Sequence, residues 1–196
     1  MEENDIKQKC KVLLIGGSAG SLEVLMAIVP HLNPIKNFSI VIVLHRKSGE
    51  DVALENLFAL KTKIPVANIE DKVALKPGYI YIAPSDYHLL FEKNKTLSLD
   101  VSEKVNYSRP SIDVSFESAA IAFKEKCIAI LLSGANADGT AGLQSIQQAG
   151  GIVILQNPEK AIMPFMPQNA FSSMTPDYVL EVNEILEYIN EIEDHL

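Results

Sequence analysis

Val12-Leu13-Leu14-Ile15 runs without a polar break into Gly16-Gly17-Ser18-Ala19-Gly20, and a helical pattern carrying Leu22, Leu25, Met26 and Val29 follows as far as Pro30. An apolar run of this kind leaves no face for water, as in a strand covered by helices on both sides. A strand feeding a helix through a tight glycine turn, repeated along a chain, winds a parallel sheet with right-handed crossovers. The pattern does repeat. Phe38 to Leu44 is a second apolar run rich in β-branched residues, with helical residues 50–60 and a short strand near Val66 after it. Cys127 to Leu132 is a third, followed by the loop Ser133 to Gly139, a helix to Ala149, the stop Gly150-Gly151 and a strand from Ile152 to Leu155.

Between these units the character changes. Tyr79 to Ala83, Tyr87 to Phe91 and Thr96 to Asp100 are short alternating runs joined by Pro84-Ser85-Asp86 and Lys93-Asn94-Lys95, which are hairpin signals. Helical spacing resumes at Ile112, Phe116, Ala119, Ala120 and Phe123. The expected fold is α/β: a doubly wound, mostly parallel sheet with an antiparallel hairpin insert, in three α/β/α layers. No linker or repeat divides the chain, so residues 1–196 read as a single domain, with a core over about 12–180 and an acidic C-terminal helix over about 181–195. That helix repeats Val182, Ile185, Leu186, Ile189 and Ile192 at helical spacing, and six acids with no Lys or Arg lie over residues 181–196.

Composition narrows the function. The 196 residues, 47% hydrophobic and 21% charged, suit one globular domain that needs no metal or disulfide staple. No apolar run approaches the roughly 18 residues of a membrane span, and residues 1–9 lack an apolar signal region, so a cytoplasmic protein without membrane insertion is expected. Cys10 and Cys127 have neither CxxC spacing nor a His partner, which argues against a disulfide framework or a zinc site; Cys127 reads as a core thiol. A net charge of −8 argues against nucleic acid as a partner. No cofactor or metal is expected, and a monomer is the default because no exposed apolar stripe is evident.

In an open α/β sheet, ligands bind beyond the carboxyl ends of the strands. Three expected strand ends carry reactive residues: Ser18 after Val12–Ile15, His45 after Phe38–Leu44, and Asp138 in the loop after Cys127–Leu132. Gly16-Gly17-Ser18-Ala19-Gly20 fits G-x-S-x-G between a strand and a helix, the context of a nucleophile elbow. A dinucleotide fingerprint would need Gly at Ser18 and an acid where His45 stands, and a P-loop would need Lys after Gly20. Both phosphate readings lose ground. A serine nucleophile needs a base, and the base an orienting acid. Of the four histidines, His195 is terminal, His31 sits at a helix exit and His88 lies within the insert, so His45 is the candidate. The acid is open among Asp138, Asp86 and Asp113, and Asp138-Gly139 would also serve as a helix cap.

The chain resembles the catalytic domain of the chemotaxis protein-glutamate methylesterases, the CheB type. The resemblance rests on IGGSAGS (15–21), VLHR (43–46), YIAPSDYHLL (81–90), RPSIDVSFESAA (109–120), LLSGANADGTAGL (131–143), QAGG (148–151) and MPQNAF (166–171), in family order. It implies Ser18 as nucleophile, His45 as general base and acid, and Asp138 as the acid that orients His45. It also implies the substrate, a glutamate methyl ester on the cytoplasmic helices of a chemoreceptor, and some members deamidate receptor glutamines. Backbone N–H groups of Ala19 and Ala135 are the candidate oxyanion donors.

The chain departs from the family pattern at three places. Ser18-Ala19-Gly20-Ser21 stands for Ser-Thr-Gly-Gly, and Gly134-Ala135-Asn136 for Gly-Met-Gly. Only about ten residues precede the first strand, so the family's N-terminal receiver domain is expected to be absent, leaving a stand-alone esterase or a fragment whose regulator would be a separate receiver domain. The altered neighbours of the triad motivate an alternative, a non-catalytic receptor-binding or signalling module of the same fold. Arg46 and Lys47 offer local positive charge for an acidic receptor helix.

Overall fold

The computed structural model describes residues 10–46, 49 and 53–194. Lys47, His195 and the opening of the helix expected over 50–60 lie outside them. β1 (Val12–Gly17) leads into α1 (Ser21–Ile28), and β2 (Ser39–Leu44) into α2 (Ala53–Ala59). The strands β3 (Val66–Ala67), β4 (Val73–Ala74), β5 (Ile80–Ile82), β6 (His88–Phe91) and β7 (Thr96–Asp100) come next. The second half runs α3 (Ile112–Phe123), β8 (Cys127–Leu131), α4 (Thr140–Gln148), β9 (Ile152–Gln156), α5 (Phe165–Ser173), β10 (Tyr178–Leu180) and α6 (Val182–Asp194).

The main sheet has the order β10-β9-β8-β1-β2-β5-β3, every neighbouring pair parallel. Alternate residues of each strand enter opposite cores, as the two-residue side-chain period requires. Leu13, Ile15, Ile40, Ile42 and Ile130 pack with Leu25 of α1, Phe58 of α2 and Ile189 of α6 on one face. Val12, Leu14, Val41, Val43 and Leu131 pack with Phe116 of α3, Leu143 of α4 and Met166 of α5 on the other. The three-layer α/β/α reading holds. Cys127 is fully buried within the second core.

Two details of the expectation change. The insert is a three-stranded antiparallel sheet, β4-β7-β6, and the run at Tyr79–Ala83 is outside it. Its central part is β5, parallel to β2, because Ile80 and Ile82 fill one core while Tyr81 fills the other. The Tyr81 hydroxyl survives burial by accepting the Lys76 N–H at 2.9 Å, so an alternation that reads as half-exposed is buried on both sides. In α1 the buried stripe is Ser21, Val24, Leu25 and Ile28, and Leu22 is exposed. β10 and α5 have no counterpart among the expected elements.

Helices α3 and α4 meet at Gly142. A Cβ there would lie 2.5 Å from the Phe116 Cβ and 3.1 Å from the Asp113 carbonyl oxygen. Alanine gains about 1 kcal/mol in helix propensity, but overpacking against a backbone atom costs about 1–3 kcal/mol, and the clash wins. Gly142→Ala should lower the unfolding free energy by up to about 2 kcal/mol, read as a lower midpoint in urea denaturation.

Candidate active site

Parallel pairing sets the ends of β1 and β2 side by side. The register closes with Gly17 opposite Leu44, and the His45 N–H donates to the Gly17 carbonyl at 3.1 Å. Ser18 and His45 therefore leave adjacent strands one residue beyond the last pair. On the other flank of β1, the Ser18 N–H donates to the Ser133 carbonyl at 2.9 Å. The chain's strand order reverses at β1, between β2 and β8, and such switch points leave a crevice beyond the strand ends. A cavity of about 580 Å³ opens there, with Ser18, His45, Leu22, Leu44, Leu54 and Leu57 in its wall. Leu22 is exposed because it faces this cavity.

The serine turn is held from inside. Gly20 takes φ +81°, and a Cβ there would also meet Ser133 and Ile162, so only glycine fits. The buried Ser21 hydroxyl donates to the Ser18 carbonyl at 2.5 Å. Ser133, also buried, donates its hydroxyl proton to the Ala19 carbonyl and accepts the Met163 N–H, each at 2.8 Å. The N–H groups of Ala19 and Ala135 donate to no backbone carbonyl among the described residues, and both residues are exposed.

Asp138 is fully buried, and its carboxylate collects five donors. Oδ2 takes His45 Nε2 at 2.7 Å and the Ile112 N–H at 2.6 Å. Oδ1 takes the Ser111 hydroxyl and the Asn106 amide, each at 2.9 Å, and the Asp113 N–H at 3.2 Å. Asp138 thus caps α3, across the sheet end, and does not cap α4; the residue before α4 is Gly139 at φ +98°. Asn136, one of the departures from the family pattern, accepts the Asp138 N–H at 3.2 Å and so helps shape the loop.

Burial alone would raise the Asp138 carboxyl. The hydrogen bonds from His45, Asn106 and the Ile112 N–H outweigh it and bring the pKa down to about 2. Asp113 goes the other way. Burial is again the largest influence; the Gly142 N–H opposes it, the Asp138 charge adds to it, and the carboxyl rises to about 6. An ionised Asp138 only accepts, so the 2.7 Å bond requires the proton on His45 Nε2, and neutral His45 keeps its lone pair on Nδ1. No hydrogen bond joins Ser18 Oγ to His45 here; such bonds often tighten only with substrate present.

The remaining candidates separate cleanly. His88 is buried and structural, accepting the Ser111 N–H at Nδ1 and bonded to the Glu103 carbonyl through Nε2. His31 is exposed at the end of the turn after α1. Arg46 bonds to Glu55 at 2.8 Å with its side chain 5% exposed, so its charge is balanced locally and is not offered to a partner. The sequence alone assigns no role in the site to Asn106, Ser111 or Ser133. Ser111 alone had a visible signal, a preferred N-cap type directly before an apolar helix.

The family model described as CheB methylesterase matches residues 13–189. The chain belongs to that family. It is 39% identical over 177 residues to a Leptospira interrogans protein whose name places it among the protein-glutamate methylesterase/protein-glutamine glutaminases, covering 90% of this chain and 92% of that one. A Thermotoga maritima protein-glutamate methylesterase/protein-glutamine glutaminase is 36% identical over 187 residues, 93% of this chain and 54% of the relative. The crystal structure of the Thermotoga maritima CheB methylesterase catalytic domain superposes with a TM-score of 0.88 at 34% identity, over 93% of this chain and 98% of that one. This chain therefore spans about the length of one CheB relative and about half of another.

Asp138 makes a stability prediction with a definite sign. Its folded pKa of about 2 lies below the ordinary value of 3.8, so its contribution is complete above about pH 4 and is lost as pH falls through about 2. That shift corresponds to about 2 kcal/mol. Asp138→Ala should destabilise the protein by at least that amount at pH 7, and urea midpoints of variant and wild type should converge toward pH 2.5.

Proposed function

We propose that this CheB methylesterase is a serine esterase that hydrolyses glutamate γ-methyl esters on methyl-accepting chemotaxis receptors, giving glutamate and methanol, and that it also deamidates receptor glutamines. The observation that carries the assignment of roles is the 2.7 Å bond from His45 Nε2 to a buried, ionised Asp138, beside a cavity that Ser18 and His45 share. With Nε2–H committed to Asp138, Nδ1 is the base. Ser18 Oγ attacks the ester carbonyl and its proton passes to Nδ1. The oxyanion takes the N–H groups of Ala19 and Ala135, preorganised donors of the kind worth about 3–4 kcal/mol each. As the tetrahedral intermediate collapses, the imidazolium protonates the departing methoxide and methanol leaves an acyl-enzyme. Water, deprotonated at Nδ1, then attacks the acyl carbon and releases Ser18 and the glutamate side chain.

The cavity suits this traffic. Leu22, Leu44, Leu54 and Leu57 favour an uncharged ester or amide over a carboxylate, and Arg46, balanced by Glu55, does not alter that preference. The product carboxylate is charged, and an apolar wall favours its departure. On this reading the chain works as a cytoplasmic catalytic domain, a monomer whose partners are the receptor's methylated helices. Among the described residues no helix is long and apolar enough to cross a membrane.

Methanol release from a methylated receptor cytoplasmic fragment tests the proposal. Wild type should turn over, and Ser18→Ala should fall by about 10⁴-fold or more with its fold intact, because members of a triad act as a unit. A Ser18→Ala variant with most of the activity would remove Ser18 from the mechanism. Receptor binding without methanol release from wild type would favour the non-catalytic module.

A further inference from the structure

Residues 105–108 form a small hairpin, with Val105 and Ser108 exchanging backbone hydrogen bonds at 3.2 and 2.9 Å. Both residues between them are left-handed, Asn106 at φ +50° and Tyr107 at φ +62°. Two positive φ values are the pattern of a type I′ turn, where asparagine is favoured for its backbone. That accounts for an asparagine but not for the direction of its side chain. Tyr107, its neighbour, is 97% exposed, whereas the Asn106 amide reaches inward to two carboxylates. Nδ2 donates to Asp138 Oδ1 at 2.9 Å and to Asp113 Oδ2 at 2.8 Å. Only the NH₂ end of the amide can face two acceptors, so both of its protons are committed and its orientation follows from the chemistry.

We propose that Asn106 is a positioning residue for the esterase reaction, holding the Asp138 carboxylate with Oδ2 turned to His45. This inference rests on the roles assigned above to Ser18, His45 and Asp138. Among the described residues Asn106 alone donates its side chain to both carboxylates. The other donors to Oδ1, the Ser111 hydroxyl and the Asp113 N–H, do nothing to separate Asp138 from Asp113. Two buried carboxylates in contact cannot both stay ionised without a donor between them. With the amide gone, Asp113 takes up a proton and donates it to Asp138, which turns the carboxylate away from His45. The imidazole then loses its fixed tautomer, and the base is misdirected.

Substitutions at the two left-handed positions separate this role from a role in the turn. Glycine accepts a positive φ without strain, so Asn106→Gly keeps the hairpin and removes only the amide. Asn106→Asp keeps the shape but has at most one proton to give, so it cannot donate to both carboxylates at once. Tyr107→Gly relaxes the turn and leaves the amide in place. On methylated receptor fragment, Asn106→Gly and Asn106→Asp should lower kcat by about 10- to 100-fold, the scale expected of a misplaced catalytic group, with KM within about twofold. Tyr107→Gly should match wild type. The downfield proton NMR signal of the His45 Nε2–H, which needs no substrate, should move or broaden in both Asn106 variants and stay in place in Tyr107→Gly.

Full kcat in Asn106→Gly, or an equal loss in Tyr107→Gly, would overturn the proposal. If Asn106→Gly fails to fold, Asn106→Asp against Tyr107→Gly decides. Ser18→Ala beside them keeps the two readings apart. An active Ser18→Ala defeats the triad itself, whereas a dead Ser18→Ala with a fully active Asn106→Gly defeats only the positioning role. If wild type does not turn over the receptor ester, the NMR comparison still tests the position of Asp138.

Discussion

A carboxylate kept ionised in a protein interior must recover, from fixed donors, the solvation it has lost. Asp138 does so with five of them, drawn from three separate parts of the chain: His45 at the end of β2, Asn106 in the hairpin after the antiparallel insert, and residues 111–113 at the start of α3. Hydrogen bonds to a charged group contribute about 1.5–3 kcal/mol each, enough together to overcome burial, and the low pKa of Asp138 reports that balance. The same bonds fix where each of those segments sits. The parallel sheet, the insert and α3 have to be docked together before this one side chain is satisfied, and the imidazole is oriented as a consequence.

Close packing delivers α3 to that place. Gly16 of β1 has no room for a Cβ, since Ile112 Cγ2 would be 2.6 Å away and Phe116 Cζ 2.9 Å away. Gly139 meets Ile112 and Leu131 in the same way, and Gly142 meets Phe116. Small residues on β1 and α4 thus let one helix lie close to both. The N-terminal N–H groups of that helix are the positive end of its dipole, and they point at a carboxylate instead of water. The helix supplies charge stabilisation as well as a wall of the core.

The departures from the CheB pattern sit where local bonding replaces what was lost. Ser21 bonds back to the Ser18 carbonyl and Ser133 holds the Ala19 carbonyl, so the serine turn is braced on both sides without a threonine next to Ser18. Asn136 shapes the loop before Asp138 through its own side chain.

Most of the parallel sheet was legible because strands buried on both faces write themselves as unbroken apolar runs, as at Val12–Ile15, Phe38–Leu44 and Cys127–Leu132. The glycine turn after the first of them marked Ser18, and the next strand's end marked His45. β5 was misassigned because a tyrosine with a buried hydroxyl looks like a solvent-facing residue until its partner, the Lys76 N–H, is known. Local pattern likewise pointed Asp138 at the helix that follows it, since cap propensity is a nearest-neighbour property. Its actual partners lie 25 to 93 residues away along the chain. Strand order, and so which loop ends meet, is set by packing between segments that carry no record of one another in their own sequence. The residue types for esterase chemistry could be read one strand at a time, and the resemblance to the CheB pattern pointed to Asp138; the donors gathered around its carboxylate, and the amide of Asn106 between two carboxylates, came only from the folded chain.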